Sequence, residues 1–428
     1  MEKLVVKGGK KLFGTADVPA AKNALLPIIA AAYMLDGESC IKQCPQLSDI
    51  FASRDIINST GSTAFIHNGD FSVIYSDSQI YEIPQELCST MRSSVLYLAP
   101  ILYRRGKAAI YMPGGCRIGK RPVDIHIDGL CRMGARAECD DEKIVLTAED
   151  GLKGVTYKLR IPSVGATQTL IMAAATAKGI TVLKNCAREP EIVDLARFLN
   201  RAGAKITGAG KNEIIIRGVS GLSGVEYTPV PDRIFAATVL SAVNACGGMC
   251  RIRNYPVEYM EYFEKILRRT GLVSLHFSDS AFVFKAADIA ADINIHTGYY
   301  PAFSTDMGPL LSAAMVNNSG TLNMYETVFE NRFSYSTEFE KLGMCCKVEG
   351  RNYIQKRKKE VYTANLTAKD LRAGAAAVVA ALAKKGCFTI DNIGYIDRGY
   401  EKIEDVFSSL GADIRRVSVG RQETDETE

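Results

Sequence analysis

Apolar residues recur along this chain in two alternating kinds of helical run, separated by short stretches in which apolar and polar positions alternate. The first kind is rich in alanine and has few polar positions on any face. Its copies are "KNALLPIIAAAYMLDG", "RSSVLYLAPILYRRG", "VGATQTLIMAAATAKG", "DRIFAATVLSAVNACGG", "TDMGPLLSAAMVNNSG" and "DLRAGAAAVVAALAKKG", and the pattern predicts buried helices. The second kind is amphipathic and leads into a strand: "IINSTGSTAFI", "LCRMGARAE", "LNRAGAKIT", "LRRTGLVSL", "EKLGMCCKV" and "SSLGADIRR". Its glycines, Gly61, Gly134, Gly203, Gly271, Gly343 and Gly411, recur about every 70 residues. Glycine after a helix supplies the left-handed residue that ends it, and the β-branched residues beyond begin a strand.

Each repeat therefore reads as small-residue helix, strand, amphipathic helix, strand, turn, strand, with explicit turns at "HNGD" and "AGKN". Six such repeats imply an α/β fold in which helices and sheets form layers. The last repeat stops after one strand, at "ADIRRVSV", and the missing piece stands at the other end. The run "LVVKGGKKLFGTADVPAAKN" matches "EIIIRGVSGLSGVEYTPVPDR" in its strand, its Leu-x-Gly (Leu12 and Gly14, Leu222 and Gly224) and its closing proline. Three repeats are thus expected to form a domain over residues 22–230, and three a second domain from residues 1–21 with 231–420. The crossings near Pro19 and near Pro229 and Pro231 would make a two-stranded hinge beside a cleft. Residues 421–428 read as a disordered tail.

With 428 residues, 47% of them hydrophobic and 23% charged, the chain has the composition of an ordinary globular protein with well-filled cores. A net charge of +4, with no block of lysines or arginines, argues against a nucleic-acid or membrane partner. The N-terminal run alternates like a strand and is not expected to act as a signal peptide. The longest apolar stretches fall short of the ~20 residues of a membrane span, so a cytoplasmic protein is expected. Most of the twelve cysteines, for example Cys40, Cys88, Cys131, Cys186 and Cys387, lie in apolar runs without a C-x-x-C pair. They read as buried free thiols in a reducing compartment rather than disulfides or zinc ligands. His67, His126, His276 and His296 have no ligand-like spacing, and no metal or cofactor is expected.

Cys116 differs from the other cysteines. In "MPGGCRIGKRPVD" it sits in a glycine-rich turn among Arg117, Lys120 and Arg121, a setting that favours thiolate over thiol. The openings of the alanine-rich helices are also unusual. Lys22, Arg92, Arg233 and Arg372 bring cations to four of the six, where the macrodipole already disfavours positive charge. Any one of them reads as a solvated surface cation, but four in register suggest sites for phosphate or carboxylate. Thr367 and Asp370 fit a capping box and Asp306 can complement the dipole of its own helix, neither of which excludes a part in catalysis.

These residues lie in motifs that resemble one family over residues 3–417. "AAKNALLPI", "TMRSSVLYLAP", "MPGGCRIGKRPVDIHIDGL", "PSVGAT", "AREPEIVDLARFL", "PDRI", "STDM", "ETVFENRF", "KDLRAGAA" and "YIDRGYEKIEDVF" occur in the order seen in the UDP-N-acetylglucosamine 1-carboxyvinyltransferases. These are the enolpyruvyl transferases that open peptidoglycan synthesis. The resemblance implies an inside-out α/β barrel of two similar domains and six repeats, with the active site in the interdomain cleft, no cofactor, and a monomer. It implies transfer of the enolpyruvyl group of phosphoenolpyruvate to the 3-hydroxyl of UDP-N-acetylglucosamine through a tetrahedral intermediate.

By the same resemblance, Cys116 is the proton donor and the target of epoxides of the fosfomycin kind, and Asp306 is the general base. Lys22, Arg92, Arg121, Arg372 and Arg398 grip phosphoenolpyruvate, with Lys22 and Arg398 also catalytic. Asn23, Arg92, Arg121, Pro122, Val123, Asp124, Ser163, Val164, Gly165, Thr305, Asp306 and Val328 hold the nucleotide sugar. Arg233, Arg332 and Asp370 support them.

The chain departs from the family at Phe235, where an acid is usual, at Ser304 and Gly308 around the base, and at Tyr395 in place of histidine. These departures bear on substrate fit and rate. They leave open a paralogue that binds a nucleotide sugar without turnover, whereas Cys116 with its motif and "SVGAT" argue against another acceptor such as that of the shikimate-phosphate enzyme. A structural ring of repeats without chemistry would leave Cys116 unexplained.

Overall fold

Six small sheets, one for each repeat, organise the computed structural model, which describes residues 2–112 and 123–418. The chain divides into two units: Pro19–Asp232 with Tyr299–Pro301, and Met1–Val18 with Arg233–Gly298 and Ala302–Glu428. Each has its own apolar core. Within the first unit its two ends are paired. Ala20 bridges Pro231, the Ala21 N–H donates to the Val230 carbonyl at 2.8 Å, and the Asp232 N–H donates to the Pro19 carbonyl at 2.8 Å.

One repeat shows the logic of all six. Strand Thr156–Lys158 is followed by the buried helix Val164–Ala175 and then by strand Ile180–Lys184, which pairs with it in parallel. The amphipathic helix Pro190–Arg201 leads to the hairpin Lys205–Thr207 and Glu213–Arg217, whose return strand pairs antiparallel with Ile180–Lys184. Burial alternates along Glu213–Arg217, so only one face of the sheet meets the core. The helices are buried nearly all round because alanine, glycine and serine let neighbours approach. In the second unit Arg233–Cys246, Gly308–Ala314 and Leu371–Ala383 pack against one another.

Strand Glu2–Gly8 lies between Gly386–Asp391 and Asp413–Ser418, antiparallel to both, and supplies the return strand that the last repeat lacks. The next strand, Leu12–Asp17, pairs in parallel with Gly248–Arg253, just as Glu226–Tyr227 pairs with Glu38–Ile41 in the first unit. At Gly8 a Cβ would lie 2.0 Å from the Ala381 carbonyl oxygen and 2.2 Å from that of Lys384, so only glycine passes there. The six glycines closing the amphipathic helices are all left-handed. Gly320, after the fifth alanine-rich helix, is not among the left-handed glycines, so that helix ends differently.

Two buried helices depart from the sequence expectation. Arg92 and the Thr305–Asp306 pair open 3-10 turns, Arg92–Tyr97 and Thr305–Met307, and the α-helices start only at Leu98 and Gly308. Pro100 and Pro309 explain this. A proline in the first α-helical turn needs no N–H there, but it cannot donate to the residue four back, so the preceding turn tightens.

The C-terminal ends of the second unit's buried helices converge on polar groups. The Asn317 amide donates to the Ala245 and Ala383 carbonyls at 3.1 and 2.9 Å, and the Asn244 amide to that of Ala314 at 2.9 Å. Lys384 is only 1% exposed, and its Nζ has no hydrogen-bond partner among the described residues. Burial first, then Arg357, pushes its ammonium down to about 8. Because that lies below the ordinary 10.5 of the unfolded chain, the folded state binds fewer protons between the two values. Stability therefore rises with pH across that window and the full penalty is felt below about 8. Lys384→Met, close in volume and uncharged, is expected to be more stable than the parent at pH 7 by about 3 kcal/mol. Urea unfolding at pH 7 and pH 10.5 checks this; a difference that does not shrink at the higher pH would contradict it.

Candidate active site

In the first unit Lys22 is the first residue of helix Lys22–Ala32, whose preceding residue, Ala21, gives no side-chain cap. An ammonium at a helix N-terminus is unfavourable by itself. It is compensated by Asp49, in the first turn of helix Ser48–Ser59, whose Oδ2 lies 2.7 Å from Lys22 Nζ; both side chains are buried. Asn23 follows Lys22, and Pro27 cannot donate the i+4 helical bond to its carbonyl.

Three further elements meet around His126. Its Nδ1 pairs with Thr169 Oγ1 at 2.8 Å, and a Cβ on Gly165 would lie 3.1 Å from its Cε1. Gly165 therefore lets the helix Val164–Ala175 seat closely on the imidazole, which a side chain there would push back by a few tenths of an ångström. Ser163 caps that helix, its Oγ accepting from the Ala166 N–H at 3.3 Å. Burial, and then the charge of Arg92, hold His126 down at about 4 against the opposing pull of Asp124, so the ring is neutral at physiological pH. Asp124 opens helix Asp124–Arg132, accepts from the Ile125 N–H at 3.0 Å and is paired with Arg160. Val123 precedes it, half-buried. His126 thus seats the helix that begins at Ser163, Val164 and Gly165 and feels the charges of Arg92 and Asp124, although its spacing in the sequence is not that of a ligand.

In the second unit Asp306 sits in the 3-10 turn Thr305–Met307, with one guanidinium on each oxygen. Arg332 Nη2 donates to Oδ1 at 2.5 Å and Arg372 Nε to Oδ2 at 3.2 Å. The Asp306 side chain is 25% exposed and that of Arg332 only 1%, so the carboxylate keeps one open side while its anchor is fixed. Pro309 takes part in this. Lacking an N–H, it cannot give the Thr305 carbonyl an i+4 bond, and that oxygen accepts instead from the Gly308 N–H and from Arg332 Nε, the latter at 3.0 Å.

Glu326 ties the neighbourhood together. It is buried, its Oε2 accepts from Thr305 Oγ1 at 2.8 Å, and its Oε1 accepts from the Val328 and Phe329 N–H groups at 2.7 and 3.1 Å. Asp370 caps helix Leu371–Ala383 through the Arg372 and Ala373 N–H groups at 2.8 and 2.9 Å, which sets the root of Arg372. Asp49 and Glu326 went unnoticed in the sequence, where one reads as an ordinary first-turn acid and the other as a residue next to a strand.

The departures from the family pattern are accommodated. Phe235 is buried with its ring 6.1 Å from that of Tyr400, whose hydroxyl pairs with Thr238 Oγ1 at 2.8 Å. Gly308 is right-handed helical, and a Cβ there would lie 3.0 Å from Met324 Sδ. Ser304 precedes the Asp306 turn without a side-chain cap bond, and Tyr395 is exposed. Arg233 is buried as the first residue of its helix, and Arg398 is half-buried just after the one-turn helix Gly394–Asp397. Cys116, Arg121, Pro122 and residues 421–428 lie outside the described residues. Among the described residues no cluster of histidine, cysteine and acidic side chains suits a metal ion, and no helix is long and apolar enough to cross a membrane.

The second unit can therefore offer one oriented carboxylate beside the anchored guanidinium of Arg372, suited to accepting a proton, and the first unit an ammonium anchored at a helix start, suited to an anion. A family model described as EPSP synthase (3-phosphoshikimate 1-carboxyvinyltransferase) matches residues 6–407. The chain is 40% identical over 418 residues to a UDP-N-acetylglucosamine 1-carboxyvinyltransferase of Trichlorobacter lovleyi, covering 98% of this chain and 100% of that one. It is 39% identical over 422 residues to UDP-N-acetylglucosamine 1-carboxyvinyltransferase 2 of Caldanaerobacter subterraneus subsp. tengcongensis, covering 97% and 100%. The solved structure of the enolpyruvyl transferase NikO from Streptomyces tendae superposes with a TM-score of 0.88 at 24% identity, over 98% of this chain and 99% of that one. An EPSP synthase from Acinetobacter baumannii gives 0.75 at 16% identity, over 98% and 100%. At these identities the two structures show a shared fold.

Proposed function

The chain belongs to the EPSP synthase family, and from that premise we propose that it transfers the enolpyruvyl group of phosphoenolpyruvate to the 3-hydroxyl of UDP-N-acetylglucosamine, releasing phosphate. One observation carries the choice of acceptor: identity near 40% over the whole length to proteins named for that substrate, against 16% to an EPSP synthase. The reaction opens peptidoglycan synthesis, and we assign it to a monomer in the cytoplasm.

The chemistry balances as an addition followed by an elimination. The sugar oxygen bonds to C2 of phosphoenolpyruvate as Asp306 takes the hydroxyl proton and Cys116 gives a proton to the methylene carbon. The tetrahedral intermediate then returns a methyl proton to the Cys116 thiolate as the C2–O bond to phosphate breaks, phosphate carries away the proton held by Asp306, and the enolpyruvyl ether leaves. Asp306 suits its part because the two guanidiniums orient both of its oxygens while one side stays open. Lys22, Arg92, Arg121, Arg372 and Arg398 neutralise the phosphate and carboxylate. Lys22 is held for this by Asp49, and Arg372 by the cap at Asp370.

Asn23, Arg92, Arg121, Pro122, Val123, Asp124, Ser163, Val164, Gly165, Thr305, Asp306 and Val328 hold the nucleotide sugar, with the capped helix start at Ser163 facing diphosphate. Arg233, Arg332 and Asp370 support these groups. The test is incubation with both substrates, followed by mass analysis of the nucleotide sugar. A product heavier by one enolpyruvyl group is expected, and unchanged UDP-N-acetylglucosamine would overturn the proposal.

A further inference from the structure

Arg398 lies in a short connection, residues 398–402, between the one-turn helix Gly394–Asp397 and the helix Ile403–Ser409. Both flanks of this connection end on one side chain. Arg416, on the strand Asp413–Ser418, donates from Nη2 and Nη1 to Asp397 Oδ1 and Oδ2 at 2.7 and 3.0 Å. It also donates from Nε and Nη2 to Glu404 Oε1 and Oε2 at 2.6 and 3.2 Å. A fifth bond, from Nη1 to Glu2 Oε2 at 3.0 Å, adds the N-terminal strand. Asp397 is the residue before Arg398, and Glu404 is the second residue of the following helix, so the guanidinium closes the base of the connection that carries Arg398.

The connection needs such a hold. Lys402 has φ +45°, in the left-handed region that side-chain-bearing residues rarely adopt. On the core side Tyr400 is fixed by Thr238 and Phe235. On the outer side Arg416 is, among the described residues, the cation paired with three carboxylates, so its removal would leave Asp397, Glu404 and Glu2 to repel one another. It would also free Asp397, the immediate neighbour of Arg398, to compete with a substrate anion for the Arg398 guanidinium.

We propose that Arg416 is a positioning residue for phosphoenolpyruvate, acting through Asp397 and Glu404 to hold Arg398 in place and to keep those acids from capturing it. This rests on the enolpyruvyl-transfer reading, in which Arg398 meets phosphoenolpyruvate.

The experiment compares the full-length parent with Arg416→Gln and Arg416→Lys in steady-state phosphate release, with hydrogen exchange of the amides at 398–402 followed in parallel. For Arg416→Gln, KM for phosphoenolpyruvate is expected to rise about tenfold, with kcat and KM for UDP-N-acetylglucosamine within about twofold of the parent. Arg416→Lys, which keeps the charge but not the fork, should fall between. The amides at 398–402 should exchange faster in the glutamine variant. A KM for phosphoenolpyruvate unchanged in both variants, with only the melting temperature lowered, would reduce Arg416 to a structural clamp and overturn the proposal. If the parent itself releases no phosphate, the transfer reading fails separately. Calorimetric titration with phosphoenolpyruvate then replaces KM: weaker binding by Arg416→Gln than by the parent supports the proposal, and equal binding, or none by the parent, overturns it.

Discussion

Asp306→Ala is expected to lower kcat for phosphate release by about a hundredfold to ten-thousandfold, the usual contribution of a positioned general base, while the nucleotide sugar still binds. Asp306 combines an orientation fixed by two guanidiniums with a side chain that is 25% exposed. Glu326 is spent on Thr305 and two backbone N–H groups, and Asp370 on capping its helix. The alanine variant also strips a carboxylate from Arg332, whose side chain is 1% exposed. The aspartate of this pair is 25% exposed, so the loss should fall below the ~3–5 kcal/mol of a fully buried pair, and a lower melting temperature should still accompany the lost rate.

Asp306→Asn separates the two effects. It keeps an acceptor for Arg332 but cannot take a proton, so it should be as inactive as the alanine variant and closer to the parent in stability. Calorimetric titration with UDP-N-acetylglucosamine, beside turnover and melting of both variants, checks this. Near-normal turnover in either would remove Asp306 from the role of base.

Cys116→Ser is expected to abolish covalent labelling by an epoxide of the fosfomycin kind and to reduce turnover by about a hundredfold or more, because a serine hydroxyl is a far weaker acid than a thiol. Epoxide opening requires a thiolate, and much of the remaining cysteine complement is poorly suited to form one. Burial pushes Cys44, Cys186, Cys246 and Cys250 up to about 12, and Cys346 to about 11. Cys116 instead lies among glycines and three cations in the sequence. Intact-mass analysis after epoxide treatment gives the answer. Labelling of the serine variant at the parent's rate would mean that the reactive thiol is elsewhere.

The repeats were legible because their punctuation is local. A glycine closing an amphipathic helix and the strand after it are written within a few residues, and all six such glycines adopt the left-handed conformation. The likeness of the N-terminal run to residues 213–227 was visible for the same reason. In both, a return strand is followed by a parallel edge strand. Asp306, Arg332 and Arg372 could be named from their motifs, but their mutual geometry could not, since it depends on side chains 26 and 66 residues apart in the chain.

Asp49 and Glu326 escaped because a buried acid that pairs with a distant group looks, in sequence, like any acid near a helix start or strand end. The 3-10 openings had a readable signal, Pro100 and Pro309, which was overlooked in favour of the apolar periodicity. His126 was recognised as part of a motif. Its contact with Gly165 and Thr169 appears only once two helices are packed.

The most direct test of the account is inorganic phosphate release from phosphoenolpyruvate by the purified protein, measured with and without UDP-N-acetylglucosamine. The account predicts release that is stoichiometric with consumption of the nucleotide sugar and absent without it. No release from protein shown by calorimetry to bind the nucleotide sugar would contradict it and leave a binding protein without turnover, with Phe235, Ser304 and Gly308 the first residues to revert.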